Sequence, residues 1–391
     1  MSDLAEKVEK SLDRLEMWVE AHDYKGYEPF DGLTSFLYPL TFKNQLACQL
    51  LQQFVRRFPV NIRPLLGIKP LDSTKGRGYM AWGYLKRYQV HKDEGHKHKA
   101  FACLDWLDEN GSPLYAEHSW GNHFFYASRG GFINRHEPTI VWTGLIGQVF
   151  IEAYQLWEMS RHRQIIESIA EWIMALPREY AKKGLCLSYT MPQEGYIHNS
   201  NMIGAAFLAG AAKITGRLEY LRIAQKAMEY SCSRQLPNGA WYYGEDPMHH
   251  WIDVFHTGYN LDSLKRYSFF SQDNSFEPHL RKGFAFFRDN FFESTGRVKY
   301  YFNKAFPIDI QCASQAIDTL LLFSDWDPEY IAMALKTAHW YIDNMQDEDG
   351  YFYFRKYPFG LSNKAPMIHW GQATMHKALA HAILCHRAYD F

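Results

Sequence analysis

Within Asp246 to Lys265, DPMHHWIDVFHTGYNLDSLK, lie four side chains able to move protons: His249, His250, Asp253 and His256. They fall in a loop that opens directly onto a helix. An imidazole and a carboxylate this close in sequence can serve general acid and base catalysis at neutral pH. Similar joints recur at Glu137 to Gly147, His198 to Gly204, Asp309 to Gln315 and Pro366 to Gln372, each leading into an apolar helix rich in small residues. If these helix starts converge, their polar residues form one site: Glu137, His198, Asn201, Asp253, His256, Asp309, Gln315, His369 and Gln372. Trp142, Trp241, Trp251, Tyr259 and Trp370 lie among or beside them. Aromatic faces stack on the C–H faces of sugars while polar groups bond their hydroxyls, so this mixture suits a carbohydrate.

The elements that must position those residues repeat. Gly184, Gly239, Gly296 and Gly350 stand roughly 55 residues apart, each read as ending an amphipathic helix and starting a short aromatic extended segment; Gly111 reads as an earlier copy. Charged-striped helices are expected at about 3–21, 92–109, 161–182, 218–235, 277–292 and 328–346. Partners apolar on most faces are expected at about 76–87, 141–159, 202–214, 258–270, 312–323 and 370–388, with an additional helix at 43–57. Helices apolar all round belong inside and striped ones outside. Six such hairpins predict an all-α chain, a single (α/α)6 toroid over residues 1–391 with short extended segments at the cavity end. An open solenoid is the competing arrangement. The positive ends of the inner helices would face the cavity and favour a carboxylate there.

Bulk properties narrow the function. The 391 residues are 47% hydrophobic and 17% aromatic with no linker-like tract, which favours one continuous core. With 42 basic and 43 acidic residues, overall charge gives no reason to expect nucleic-acid binding. No window approaches a membrane span and the N-terminal stretch lacks signal-peptide features, so a cytoplasmic location is expected. The six scattered cysteines read as free thiols, Cys312 being the one at a helix start. Neither a phosphate loop nor an H-E-x-x-H pattern is present. No cofactor or metal is therefore expected; His96-Lys97-His98 reads as a solvated outer-helix start.

The hairpin pattern, the joint FHTGYNLDSL and the final helix HWGQATMHKALAHA resemble the six-hairpin carbohydrate-active superfamily. Tyr24 to Leu33 (YKGYEPFDGL) and Asn61 to Ile68 (NIRPLLGI) resemble bacterial polysaccharide-biosynthesis proteins of the VpsJ type. Trp370 to Ala373 resembles, in shortened form, a segment of glucuronyl C5-epimerases. These resemblances imply an enzyme of surface-polysaccharide production acting on an oligo- or polysaccharide that contains uronic acid. The expected chemistry is C5 proton abstraction, giving epimerisation or elimination. His256, with Tyr259 or His198 opposite, would exchange protons, while Asn201 and Gln315 hold developing charge. Two alternatives stand beside it: hydrolysis by Asp253 with Asp309 or Glu137, and sugar binding without catalysis.

Overall fold

The computed structural model describes residues 2–128, 131–192 and 195–389. Its helices are α1 (Ser2–Ala21), α2 (Gln45–Arg57), α3 (Thr74–His91), α4 (Glu94–Glu109), α5 (Ile140–Trp157), α6 (Ser160–Ala175), α7 (His198–Thr215), α8 (Leu218–Cys232), α9 (Val254–Ser271), α10 (Glu277–Phe291), α11 (Ile310–Leu322), α12 (Glu329–Met345) and α13 (Thr374–Tyr389). Helices α3, α5, α7, α9, α11 and α13 pack each on the next, and α13 packs back on α3. The ring is closed, which makes the chain an (α/α)6 toroid and excludes the open solenoid. Around it lie α4, α6, α8, α10, α12 and α1, packed on α3, α5, α7, α9, α11 and α13 respectively.

That pairing shifts the repeat by one helix from the sequence expectation. The tight hairpin is an inner helix followed by an outer one, as in α3–α4 joined through Lys92 and Asp93, because a connection of a few residues forces antiparallel neighbours. The longer run from an outer helix to the next inner helix carries the aromatic segments. All inner helices consequently start at the same end.

Small residues set how closely the inner helices approach. A Cβ on Gly147 would stand 2.4 Å from Phe207, and one on Gly204 would stand 2.4 Å from Ile140. The repeated glycines work differently from the expected caps. Gly184, Gly239, Gly296 and Gly350 lie beyond the helix ends, in turns with φ between +72° and +104°. Each is pressed against a backbone carbonyl of a neighbouring outer helix; a Cβ on Gly184 would sit 2.1 Å from the Lys226 oxygen. Both the backbone angle and the close approach demand glycine there. Gly111 shares neither property: its φ is not left-handed, and its nearest obstacle would be 3.7 Å away.

Short strands decorate the end where the inner helices begin. Strand β1 (Tyr126–Ser128) pairs antiparallel with β2 (Gly131–Ile133), and β3 (Arg178–Tyr180) with β4 (Leu185–Leu187). Strands β5 (Ile308–Asp309), β6 (Arg355–Lys356) and β7 (Ser362–Asn363) form one antiparallel sheet in that order. Further along the inner helices, between α9, α11 and α13, charges are buried. Asp318 bridges Lys377 and, at 2.8 Å, His381 Nδ1, while Asp262 accepts from Gln315 Nε2 at 2.8 Å.

Candidate functional site

The inner-helix starts surround a cavity of about 1370 Å³. Ligand pockets for single small molecules run roughly 300–1,000 Å³, so this one has room for more than one sugar ring.

His256 sits in its wall because Asp253 caps α9. Asp253 Oδ1 accepts from the His256 backbone N–H at 2.9 Å, and Oδ2 lies 2.7 Å from His256 Nδ1. Trp251 Nε1 donates to the same Oδ2 at 3.1 Å. One buried carboxylate thus fixes both the helix start and the ring. With Nδ1–H held by Asp253, the neutral imidazole carries its lone pair on Nε2, the arrangement a proton acceptor needs. Tyr243 stacks on Trp251 at 4.5 Å and lies 4.5 Å from His256.

His369 enters from the start of the last inner helix. The chain there is kinked, with Trp370 and Gly371 outside helical angles before α13 becomes regular. Gln372 secures the kink: its side chain accepts from Phe352 N–H at 2.7 Å and donates to Phe352 C=O at 2.8 Å. Beside His369 lie Glu28, whose Oε2 is 3.7 Å from His369 Nδ1, and Lys75, whose Nζ is 3.8 Å from the same oxygen. Burial and the Lys75 charge push the His369 pKa down to about 4, which keeps the ring neutral at physiological pH. Burial works against ionisation of Glu28, but Lys75 and His369 outweigh it and hold its carboxyl at about 2. Glu28 belongs to the Tyr24 to Leu33 stretch and is placed by the Asn61 to Ile68 stretch. Arg63 Nε forms a buried pair with Asp31 at 2.9 Å, and its guanidinium donates to Glu28 C=O at 3.2 Å.

Aromatic rings join the two histidines. Trp142 faces Tyr126 at 6.1 Å, Tyr126 faces Phe30 at 5.7 Å, Phe30 faces Trp370 at 5.9 Å, and Trp370 meets Phe255 at 5.6 Å. Lys75 Nζ lies 4.2 Å from the Trp142 ring, and the Arg56 guanidinium 4.7 Å from Phe30 and 5.0 Å from Trp370. Tyr259 is also in the wall, its hydroxyl accepting from Gln311 Nε2 at 2.9 Å and lying 3.2 Å from the Tyr79 hydroxyl. Burial raises its pKa well above the ordinary value, so the phenol stays protonated.

The expected residues therefore divide. His249, His250, His256, Asp253, Tyr259, Trp142, Trp251, His369 and Trp370 line one cavity. The others do not. His198 is buried against Ser231 and Glu245, with Nε2 2.8 Å from Glu245 Oε1. Asn201 holds Leu187 N–H and Ala227 C=O, and Trp241 donates to Ser231 C=O. Asp309 caps α11 and pairs with Arg355; Glu137 accepts from Tyr115 at 3.0 Å. Gln315 faces Asp262 in the buried layer and Gln372 braces the kink. Cys312 is fully buried, and burial pushes its thiol well above the ordinary range.

Lys75, Arg56, Glu28 and Tyr243 were not singled out from the sequence. Lys75 left a signal, a cation beside Gly76 just ahead of the uncharged run from Gly78 to Leu85 on an inner helix. Arg56 lies on α2, expected as an additional helix at 43–57 but given no part in the site. Among the described residues no group of His, Cys, Asp and Glu could hold a metal ion, and no helix is long and apolar enough to cross a membrane.

No protein-family model and no curated protein matches the sequence. Solved structures do match in fold. The cellobiose 2-epimerase from Bacillus thermoamylovorans B4167 is similar with a TM-score of 0.63 at 10% identity, over 81% of this chain and 88% of that one. A D-mannose isomerase is similar with a TM-score of 0.58 at 13% identity, over 81% and 87%. The GH76 alpha-mannanase BT2949 of Bacteroides thetaiotaomicron is similar with a TM-score of 0.59 at 9% identity, over 92% and 99%.

Proposed function

We propose that this protein is a carbohydrate-active enzyme that moves a proton at a carbon next to a carbonyl or carboxyl group of a sugar, an epimerase, isomerase or lyase. One observation carries the reading. Two imidazoles from different inner helices face the same aromatic cavity, while Asp253, an acid in its wall, has both oxygens engaged by His256 and Trp251. His256, with its lone pair on Nε2, removes the proton. His369, neutral down to about pH 4, faces the same space and serves as the partner that receives or returns a proton on the far side. Lys75 and the Tyr259 hydroxyl supply positive charge and a donor for the oxyanion that develops on the sugar. The epimerase and isomerase names among the structural neighbours support this reading.

The finer reading is a glycan containing uronic acid in bacterial surface-polysaccharide production, with abstraction at C5. In support, the cavity wall carries Arg56, Arg57, Lys75 and Lys304 against Asp246 and Asp253 among its described residues, an excess of cations that suits a carboxylate. Hydrolysis by two carboxylates has less support, since Asp309 and Glu137 lie outside the lining and Asp253 is occupied. The test is incubation in deuterated water with neutral mannose- and glucose-type sugars and with uronate oligosaccharides, read by mass spectrometry and NMR. Epimerisation or isomerisation incorporates deuterium, and elimination yields an unsaturated end. Products that have only gained water, with no deuterium on carbon, would overturn the proton-transfer reading in favour of hydrolysis.

A further inference from the structure

Residues 32–71 contain no Asp or Glu but carry Lys43, Arg56, Arg57, Arg63 and Lys69, in a chain whose acids and bases are otherwise balanced. The same segment concentrates exposed apolar side chains. Phe36, Phe42, Leu46, Leu50, Phe54 and Leu65 are each between 50% and 88% exposed. Leu46, Leu50 and Phe54 are spaced four residues apart on α2 and so form one stripe along the helix. An ordinary surface helix turns such a stripe toward the core. Here α2 turns Cys48, Gln52 and Val55 inward, Gln52 donating to Ala127 C=O at 3.2 Å and accepting from Ala127 N–H at 3.1 Å, and leaves the Leu46, Leu50 and Phe54 stripe outward.

We propose that α2 and the turns beside it dock on an anionic lipid surface, with the Leu46–Leu50–Phe54 stripe entering the headgroup layer and Lys43 and Lys69 meeting the lipid phosphates. An apolar stripe flanked by basic residues and free of acids has the composition of an interfacial helix. A second copy of the chain is a poorer occupant, because a symmetric contact would bring this acid-free, cationic face against itself. The inward side of α2, through Gln49, Gln53 and Arg56, walls the cavity, so docking would bring the cavity to glycans held at the bilayer. That consequence rests on the sugar reading above; the binding itself does not.

The experiment is co-sedimentation of the full chain with vesicles of phosphatidylcholine alone and of phosphatidylcholine mixed with phosphatidylglycerol, beside light scattering of the protein in solution. Binding to the mixed vesicles only, weakened by salt, is expected. The variant Leu46→Ser/Leu50→Ser/Phe54→Ser should lower it at least about tenfold while leaving the thermal unfolding midpoint in place, since these side chains are exposed. Lys43→Glu/Lys69→Glu should lower it on mixed vesicles as well. Absence of binding to either vesicle would overturn the proposal. So would a dimer in solution that the serine variant dissolves without any vesicle binding, which would assign the face to a second copy. Deuterium exchange on free sugars is independent of either outcome.

Discussion

The last inner helix carries the same chemistry twice, with different consequences. His369, at its kinked start, faces a cavity beside Glu28 and Lys75; further along, His376 meets Glu16 at 3.3 Å and His381 meets Asp318 at 2.8 Å in a sealed interior. The two levels do not differ in residue types, since each pairs imidazoles with carboxylates and a lysine. Access separates them. At the cavity end the polar groups border space a ligand can enter. In the buried layer Asp318 is paired with Lys377 and His381, and such groups hold helices together at a high desolvation cost.

That contrast can be broken first at His256. Replacing it by Ala should lower turnover about 10²- to 10⁴-fold while leaving the unfolding midpoint nearly unchanged, measured by deuterium incorporation and calorimetry. Asp318→Ala should do the opposite. It leaves Lys377 and His381 buried without their carboxylate, an expected loss of about 3–5 kcal/mol in urea unfolding, and any activity lost should follow the fraction unfolded. Equal kinetic and stability losses in both variants would erase the distinction between the two levels.

A sharper comparison uses pH, because His369 at one level and His381 at the other titrate in opposite directions. The His369 pKa is lowered to about 4 by burial and Lys75, below the roughly 6.5 of an unfolded chain. Between those values the unfolded state binds more protons, so this contribution to stability is lost as pH falls from about 6.5 toward 4. For His381, burial opposes the imidazolium but Cys385 and Asp318 outweigh it, raising the pKa to about 9. Its contribution is fully present below about 6.5 and lost as pH rises toward 9. Unfolding free energies measured across pH should therefore lose slope on the acid side in His369→Gln and on the alkaline side in His381→Gln. The smallest expected effect is at Trp142: losing one stacking face to Ala should raise KM about 2- to 10-fold with little change in kcat, consistent with the roughly 0.5–1.5 kcal/mol of an aromatic contact.

How much of this was legible in the sequence follows from geometry. The toroid was, because helical periodicity and the glycine joints are local signals that repeat; the shift of the hairpin by one helix was not, because periodicity marks the helices and not which connection closes a hairpin. The site was legible in part. Residues at a helix start turn by about 100° each, so neighbours in one motif face different ways. His256 points into the cavity, while His198, at the equivalent start of α7, turns toward α8 and Ser231. Asn201 and Gln372 have the polarity of ligand-binding residues but satisfy buried backbone groups, a need that no pattern announces. Arg56 reaches the cavity, and Glu28 the His369 and Lys75 side chains that line it, from segments distant along the chain, and only the folded ring brings them there.

Closure itself has a consequence for how the molecule is made. Helix α1 lies between α12 and α13, with Ser11 Oγ donating to Gln346 at 2.7 Å and a Cβ on Gly350 stopped 2.5 Å from the Arg14 oxygen. Ser11 leaves the ribosome 335 residues ahead of Gln346. Helix α1 must therefore wait, with its apolar side uncovered, until α12 and α13 have been made, and the final seal of the ring becomes a slow, long-range step in which chaperones have their best opportunity to act.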